Sequence, residues 1–326
     1  MNWKELYSRV LETSSVDDVL IYSIADNYIE DKFKAEIKRI ELDIAKYNRL
    51  CDDVKNFFDI KYIFHSKAFN SFIQDPLSHI RDVLKSKIQR SVKKKLSLRR
   101  FNQIANLTVR KCIDTNSRIL FQNFVALSIL YNMHNFDLKI KYPENSWVHL
   151  DRKGHQRGGH IPPNYIIDVN GSYYSFFIEA PRPIKWSLPL KSEDSLPLHA
   201  APRPDIMIYR GWVENIVEGE SNSTLIKSPD FIIECKEIAG WWKSTRKSKG
   251  IKHLTNGEVE NVDAVRVIEL YRNLYNPGEI ILVSKVKVPR GVKYKLSLRG
   301  VETIDNTNLN PLAIKRITEI ILEHSD

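Results

Sequence analysis

Asp205, Glu234 and Lys236 interrupt stretches that otherwise read as buried strands. Asp205 follows Pro204 at the head of the apolar run IMIY, and Glu234 and Lys236 stand within FIIECKEI at 231–238. An ionised carboxylate or ammonium is costly to bury unless it is paired, so strands built only for stability would not carry all three. Side chains alternate along a strand. Ile232, Glu234 and Lys236 therefore share one face, and Phe231, Ile233 and Cys235 take the other. If the strand that Asp205 begins pairs with this one, Asp205 and Glu234 converge. Two carboxylates and the backbone carbonyl of Cys235 are hard oxygen donors that suit Mg²⁺, with Mn²⁺ able to substitute. A lysine beside such an ion can orient an attacking water or help to deprotonate it.

These residues need a sheet to hold them, and the second part of the chain supplies its elements. SRILFQNFVALSILYNM (117–133) predicts an apolar helix. YIIDVNGSYYSFFIEA (165–180) predicts a hairpin turning at Asn170-Gly171. Strands follow at 205–209 and 231–238, a helix at 261–275, a strand at 279–286, a short strand at 300–305 and a last helix at 310–324. The order predicts an α/β fold, a mixed sheet flanked by helices, over residues 111–326. Residues 1–110 read as an all-helical N-terminal region. There Phe33, Ile37, Ile40, Ile44, Tyr47, Cys51, Val54 and Phe58 recur at steps of four and three. That is one seam of a long helix, packed on a helix of the same chain or of a second copy.

Pro204-Asp205, 28 intervening residues, and Glu234-Cys235-Lys236 resemble the motif of the PD-(D/E)XK nuclease superfamily, and the expected element order is similar over roughly 115–305. The resemblance implies a restriction-endonuclease-like fold and metal-dependent hydrolysis of phosphodiester bonds in DNA, double-stranded in the first instance. It implies Asp205, Glu234 and the Cys235 carbonyl as metal ligands, with Lys236 positioning the nucleophile. It also implies a homodimer in which each protomer cuts one strand. Members of that family usually carry an acid on the first core helix, in a context like Phe-Glu-x-x-Val. In LFQNFV, Gln122 takes that place, a catalytic candidate that can ligate through its oxygen or hold a metal-bound water but brings no charge. Glu179, at the end of the hairpin, is a further carboxylate. The variant with Gln-x-x-x-Tyr on the later helix is not matched, because Val267 stands four residues before Tyr271. Two alternatives stay open: a nuclease-like DNA-binding or scaffold protein that no longer cuts, and an RNA-directed nuclease of the same fold.

Charge points the same way. The chain carries a net +10, and RDVLKSKIQRSVKKKLSLRR (81–100) holds nine cations against the single acid Asp82. Leu84, Ile88, Val92 and Leu96 recur every four residues, which predicts a helix docked on one face. Its other faces would present Lys93, Lys94, Lys95, Arg99 and Arg100 to a phosphate backbone, where counterion release drives binding. Lys243, Arg246 and Lys247 beside Trp241 and Trp242 suit backbone contact with stacking; the tryptophans could equally pack in the core. His149, His155 and His160 share a basic loop without the ligand pattern of a zinc site. No apolar run reaches the ~20 residues of a membrane span, so no membrane partner is expected. The three cysteines, Cys51, Cys112 and Cys235, form no framework. An intracellular protein, cytoplasmic or nucleoid-associated, is expected.

Overall fold

The computed structural model describes residues 1–13, 17–150, 160–179, 203–218, 225–243, 271–272 and 275–323. Contacts divide the chain into two units, Met1–Asn48 with Lys67–Leu120, and Arg49–Ser66 with Phe121–Asp326. The expected division at residue 110 falls inside a helix.

The helical unit draws on α1 (Trp3–Thr13), α2 (Asp18–Phe58), α3 (Lys67–Gln74), α4 (Pro76–Lys93) and α5 (Leu98–Tyr131). On α2 the predicted seam is buried from Phe33 to Val54. Tyr7 stacks on Phe101 with ring centres 4.2 Å apart, and Trp3 meets Tyr28 edge-on. Asp75 caps α4 by accepting the Ser78 N–H, and Pro76 occupies the first turn, where its missing donor costs nothing.

The single basic helix expected through Leu96 is in fact two helices. Lys95 adopts φ 46°, its N–H reaches the Val92 carbonyl, and the Leu96 N–H reaches the Ser91 carbonyl. This is a Schellman motif, in which the residue after the left-handed position closes back on the last turn. Leu84, Ile88 and Val92 are buried as the periodicity requires, but Leu96 leaves that stripe to serve the cap. Arg90 and Lys93 fall in the last turn, where cations complement the helix dipole.

The second unit is built on a seven-stranded sheet. Its strands are β2 (Leu138–Tyr142), β4 (Tyr165–Val169), β5 (Ser172–Ile178), β6 (Ile206–Arg210), β9 (Phe231–Lys236), β10 (Glu279–Ser284) and β11 (Val301–Ile304), in the spatial order β11-β10-β9-β6-β5-β4-β2. From β2 to β9 neighbours are antiparallel, and β9, β10 and β11 are parallel. The sheet is thus mixed, as predicted. The hairpin is also as read: Val169 pairs with Ser172, and Asn170 and Gly171 have φ of 53° and 89°. A two-residue type I′ turn requires positive φ at both positions.

Two further pairs lie outside this sheet. β7 (Val217–Glu218) pairs with β8 (Leu225–Ile226), and β1 (Tyr62–Phe64) runs parallel to β3 (Trp147–His149). β1 corrects the expectation that residues 1–110 are all helical. Asp59 ends α2 with φ 49°, and the next apolar residues are too few for another helix. β6, β9 and β10 are buried over almost their whole length, the pattern of strands covered on both faces. One face is covered by Trp241, Tyr271, Tyr275 and Leu296, which pack with Phe177, Met207, Ile232, Ile280 and Leu282. Leu296 belongs to α6 (Arg290–Ser297), and α7 (Lys315–Glu323) closes the chain. The segment 120–130 of α5 is buried on every side, which explains its nearly unbroken apolar sequence.

Candidate active site

The pairing of β6 with β9 sets the site. Ile206 lies opposite Ile233 and Met207 opposite Ile232. One residue further, where β6 has not yet begun, Asp205 meets the end of β9. Its Oδ2 accepts the backbone N–H of Cys235 at 2.7 Å, and its Oδ1 accepts the side-chain amide of Gln122 on α5. Glu234 is buried, with 5 % of its surface exposed. Its Oε1 accepts the Lys236 ammonium, and its Oε2 accepts the Tyr271 hydroxyl at 2.8 Å. Each of the four carboxylate oxygens therefore has a donor. Asp205, Gln122, Glu234 and Lys236 come together in the middle of the sheet, where the start of β6 meets the C-terminal end of β9, and Glu234 and Lys236 share a face as alternation predicts.

Lys236 keeps 23 % of its side chain exposed. Burial opposes its charge, but Glu234 and Asp205 outweigh burial, and its pKa is raised above the ordinary lysine value. It is therefore an ammonium at neutral pH. Burial foremost, then the field of Asp205 and Glu234, pushes the Cys235 thiol well up, so this sulfur is a protonated core group. Of the Cys235 backbone, the N–H is engaged, by Asp205. Glu237 adds to the negative field felt by both Cys235 and Lys236. Three acids around one ammonium leave an excess of negative charge, which a divalent cation would offset.

Tyr271 is the residue that sequence reasoning passed over. Its hydroxyl lies 3.0 Å from the Arg203 carbonyl as well as on Glu234. Burial first, and Glu234 and Asp205 next, push its pKa well up, so it stays a phenol and a donor. The one hint in the sequence is a tyrosine on the expected later helix, where Val267 does not complete a glutamine–tyrosine pair. Glu179 is buried and has φ 45°. Its N–H donates to the Asp205 carbonyl at 2.7 Å, fixing the end of β5 to the start of β6.

The remaining candidates fall elsewhere. Lys93, Lys94, Lys95, Arg99 and Arg100 are exposed around the turn between α4 and α5. Arg246 and Lys247 lie outside the described residues, as do His155 and the side chain of Lys243. Trp241 is buried in the core, its indole N–H 3.3 Å from the Ser284 hydroxyl, with Trp242 edge-on against it at 5.5 Å. Core packing thus takes Trp241, and Trp242 packs partly buried against the same cluster. His149 stacks on Phe64, and His160 is exposed. Among the described residues no three His, Cys, Asp or Glu side chains group as metal ligands, and no helix is long and apolar enough to cross a membrane.

No family model, curated protein or solved structure matches the chain.

Proposed function

We propose that the protein is a divalent-metal-dependent endonuclease with a restriction-endonuclease-like core, hydrolysing phosphodiester bonds in DNA. The observation that carries this reading is the meeting of Asp205 and Glu234, from two strands, with the ammonium of Lys236. The donor set fits the ion. It is all oxygen, it holds more negative than positive charge, and each carboxylate oxygen that accepts one hydrogen bond retains a second lone-pair site. Asp205 and Glu234, with the Cys235 carbonyl, would hold Mg²⁺ or Mn²⁺, whose chemistry is to polarise the phosphate and acidify a bound water.

The chain's own residues hold that arrangement. The Cys235 N–H and the Gln122 amide fix both oxygens of Asp205, and Tyr271 fixes one oxygen of Glu234. Lys236, protonated, offsets charge that develops on the phosphoryl oxygens and orients the attacking water; it is not the base. Facing an ionised Asp205, the Gln122 amide must present N–H rather than C=O. It brings a positive dipole end where a second metal would need an anion, so the site suits one metal. Two copies, each cutting one strand, would give a double-strand break.

Gln122 also favours a second reading, a nuclease-like protein that binds DNA and does not cut. Nicking of supercoiled plasmid with Mg²⁺ or Mn²⁺ decides between them. Wild type should nick and Asp205→Ala should be slower by at least about 10³-fold. Equal background cleavage by both proteins, with DNA binding retained, would establish the second reading.

A further inference from the structure

β1 and β3 form a small sheet whose two faces differ sharply. Ile63 and Val148 pair on one face, and Val148 is fully buried. On the other, Tyr62 lies opposite Trp147 and Phe64 opposite His149, so all four positions carry rings. Phe64 and His149 stack on one another with ring centres 4.7 Å apart and planes parallel to within 11°; Phe64–Trp147 centres are 5.1 Å apart, Tyr62–Phe64 5.9 Å, and Tyr62 meets Trp147 edge-on at 6.2 Å. The four make one continuous aromatic surface. Tyr62 is 58 % exposed, and Phe64, Trp147 and His149 are each partly exposed. A sheet face turned to water is ordinarily polar, and an exposed patch of this kind marks a contact site.

The backbone of this small sheet is linked to that of the candidate active site through hydrogen bonds. The Asn164 side chain donates to the His149 carbonyl at 3.1 Å and accepts the Ile178 N–H at 2.6 Å. The next residue, Glu179, donates its N–H to the Asp205 carbonyl. His149 is thus three hydrogen-bonded steps from the acid that opens β6. Exposed Lys61 precedes Tyr62.

We infer that the Tyr62, Phe64, Trp147 and His149 face is a stacking platform for unpaired nucleobases of the strand that enters the site. The inference rests on the phosphodiesterase reading and narrows its substrate to nucleic acid with a single-stranded segment next to the cleaved bond. The chemistry of the surface selects this occupant. Every base has a π-face, stacking needs no sequence, and the exposed Lys61 next to Tyr62 complements the phosphate backbone that links the bases. A paired base, stacked on both sides within a duplex, offers no such face. The surface consists of rings throughout, with no aliphatic side chain among its four positions, as suits flat π-systems.

The test is fluorescence anisotropy of a labelled single-stranded oligonucleotide and of the matching blunt duplex. Both are titrated with full-length protein carrying Asp205→Ala, so that nothing is cut, with and without Tyr62→Leu or Trp147→Leu. Thermal unfolding checks each fold. The expected result is a loss of single-strand affinity of about ten- to a hundredfold in either ring variant, with duplex affinity and unfolding unchanged. Trp147→Leu should also remove a tryptophan quench seen on single-strand binding. Equal single-strand affinity in folded ring variants would overturn the platform and leave the nuclease reading standing. So would a shift from dimer to monomer in sedimentation with binding unchanged, since the face would then belong to a second copy. Failure of the parent protein to bind either nucleic acid would overturn the platform and the nucleic-acid reading together. If both Leu variants unfold, Tyr62→Phe and Trp147→Phe should keep full single-strand affinity and Tyr62→Ser should lose it; equal affinity in all three overturns the platform.

Discussion

Around Glu234 a carboxylate, an ammonium and a phenol leave water together; around Lys95 five cations stand in it. The first group is held by partners of matched chemistry, Lys236 and Tyr271 on one acid, Gln122 and the Cys235 N–H on the other. The second is placed by backbone, through the cap that ends α4, and Arg100 also donates to the side chain of the exposed Gln103. Exposing a charge is cheap, so Lys93, Lys94 and Lys95 reveal little about the fold and something about what approaches it. Burying a charge is expensive, so each partner of Glu234 carries both stability and chemistry. Substitutions in the two places should therefore fail differently.

The largest difference should come from Lys236→Met. It leaves Glu234 buried with one donor gone, and breaking a buried pair of this kind costs about 3 kcal/mol or more. Urea unfolding in metal-free buffer should show that loss. Lys93, Lys94 and Lys95 replaced together by Ala should stay within about 0.5 kcal/mol of wild type. Similar losses in both proteins would break the contrast.

Gln122→Glu sharpens the same contrast by adding a charge where a dipole suffices. With a carboxylate in place of the amide donor, Asp205 gains a like-charged neighbour and loses a hydrogen bond, together about 2 kcal/mol. The loss should be recovered on adding Mg²⁺, since the variant supplies an extra anionic ligand. Unfolding temperature with and without Mg²⁺ measures both steps. A variant as stable as wild type in metal-free buffer would mean that the Gln122–Asp205 bond does not hold the site.

The triple lysine variant should instead lose affinity for DNA. If each lysine neutralises one phosphate, the slope of log affinity against log salt should flatten by about 2.7, at roughly 0.9 per contact. An unchanged slope would assign the turn to solvent.

How far these features were legible varies with their range. The faces of β9 follow from a period of two, and the Asn170-Gly171 turn from the φ that only certain residues accept. Both are local, and both match. Asp205 and Glu234 were readable as partners only on the condition that their strands pair, and the register of Ile206 opposite Ile233 meets that condition. Tyr271 was not readable. Periodicity gives the buried face of a helix but not the acid that face will meet. The cap at Lys95 was hidden because lysine has no preference for positive φ, and the lysine run reads as more of the same helix. The aromatic face of β1 and β3 was hidden by distance: the two tripeptides are more than eighty residues apart, and each alone is too short to show a period.

His79 is the place where the helical unit comes nearest to the behaviour of the sheet, and it offers the smallest test. Its ring lies in the first turns of α4, 3.3 Å from the Ser71 hydroxyl and edge-on to Phe72 at 5.7 Å. Burial lowers its pKa below the ordinary 6.5, and Asp82 opposes only part of that. A histidine with a lowered folded value binds its proton more weakly in the fold than in the unfolded chain. Its contribution is therefore complete above about pH 6.5 and is lost as pH falls through the folded value. Wild type should lose stability across that window, and His79→Gln, which keeps a polar group for Ser71 without titrating, should lose less. Urea midpoints measured on both proteins at about pH 7 and about pH 5 give the comparison. Parallel losses would mean that the imidazole is as solvated as the lysines of the turn that ends its own helix.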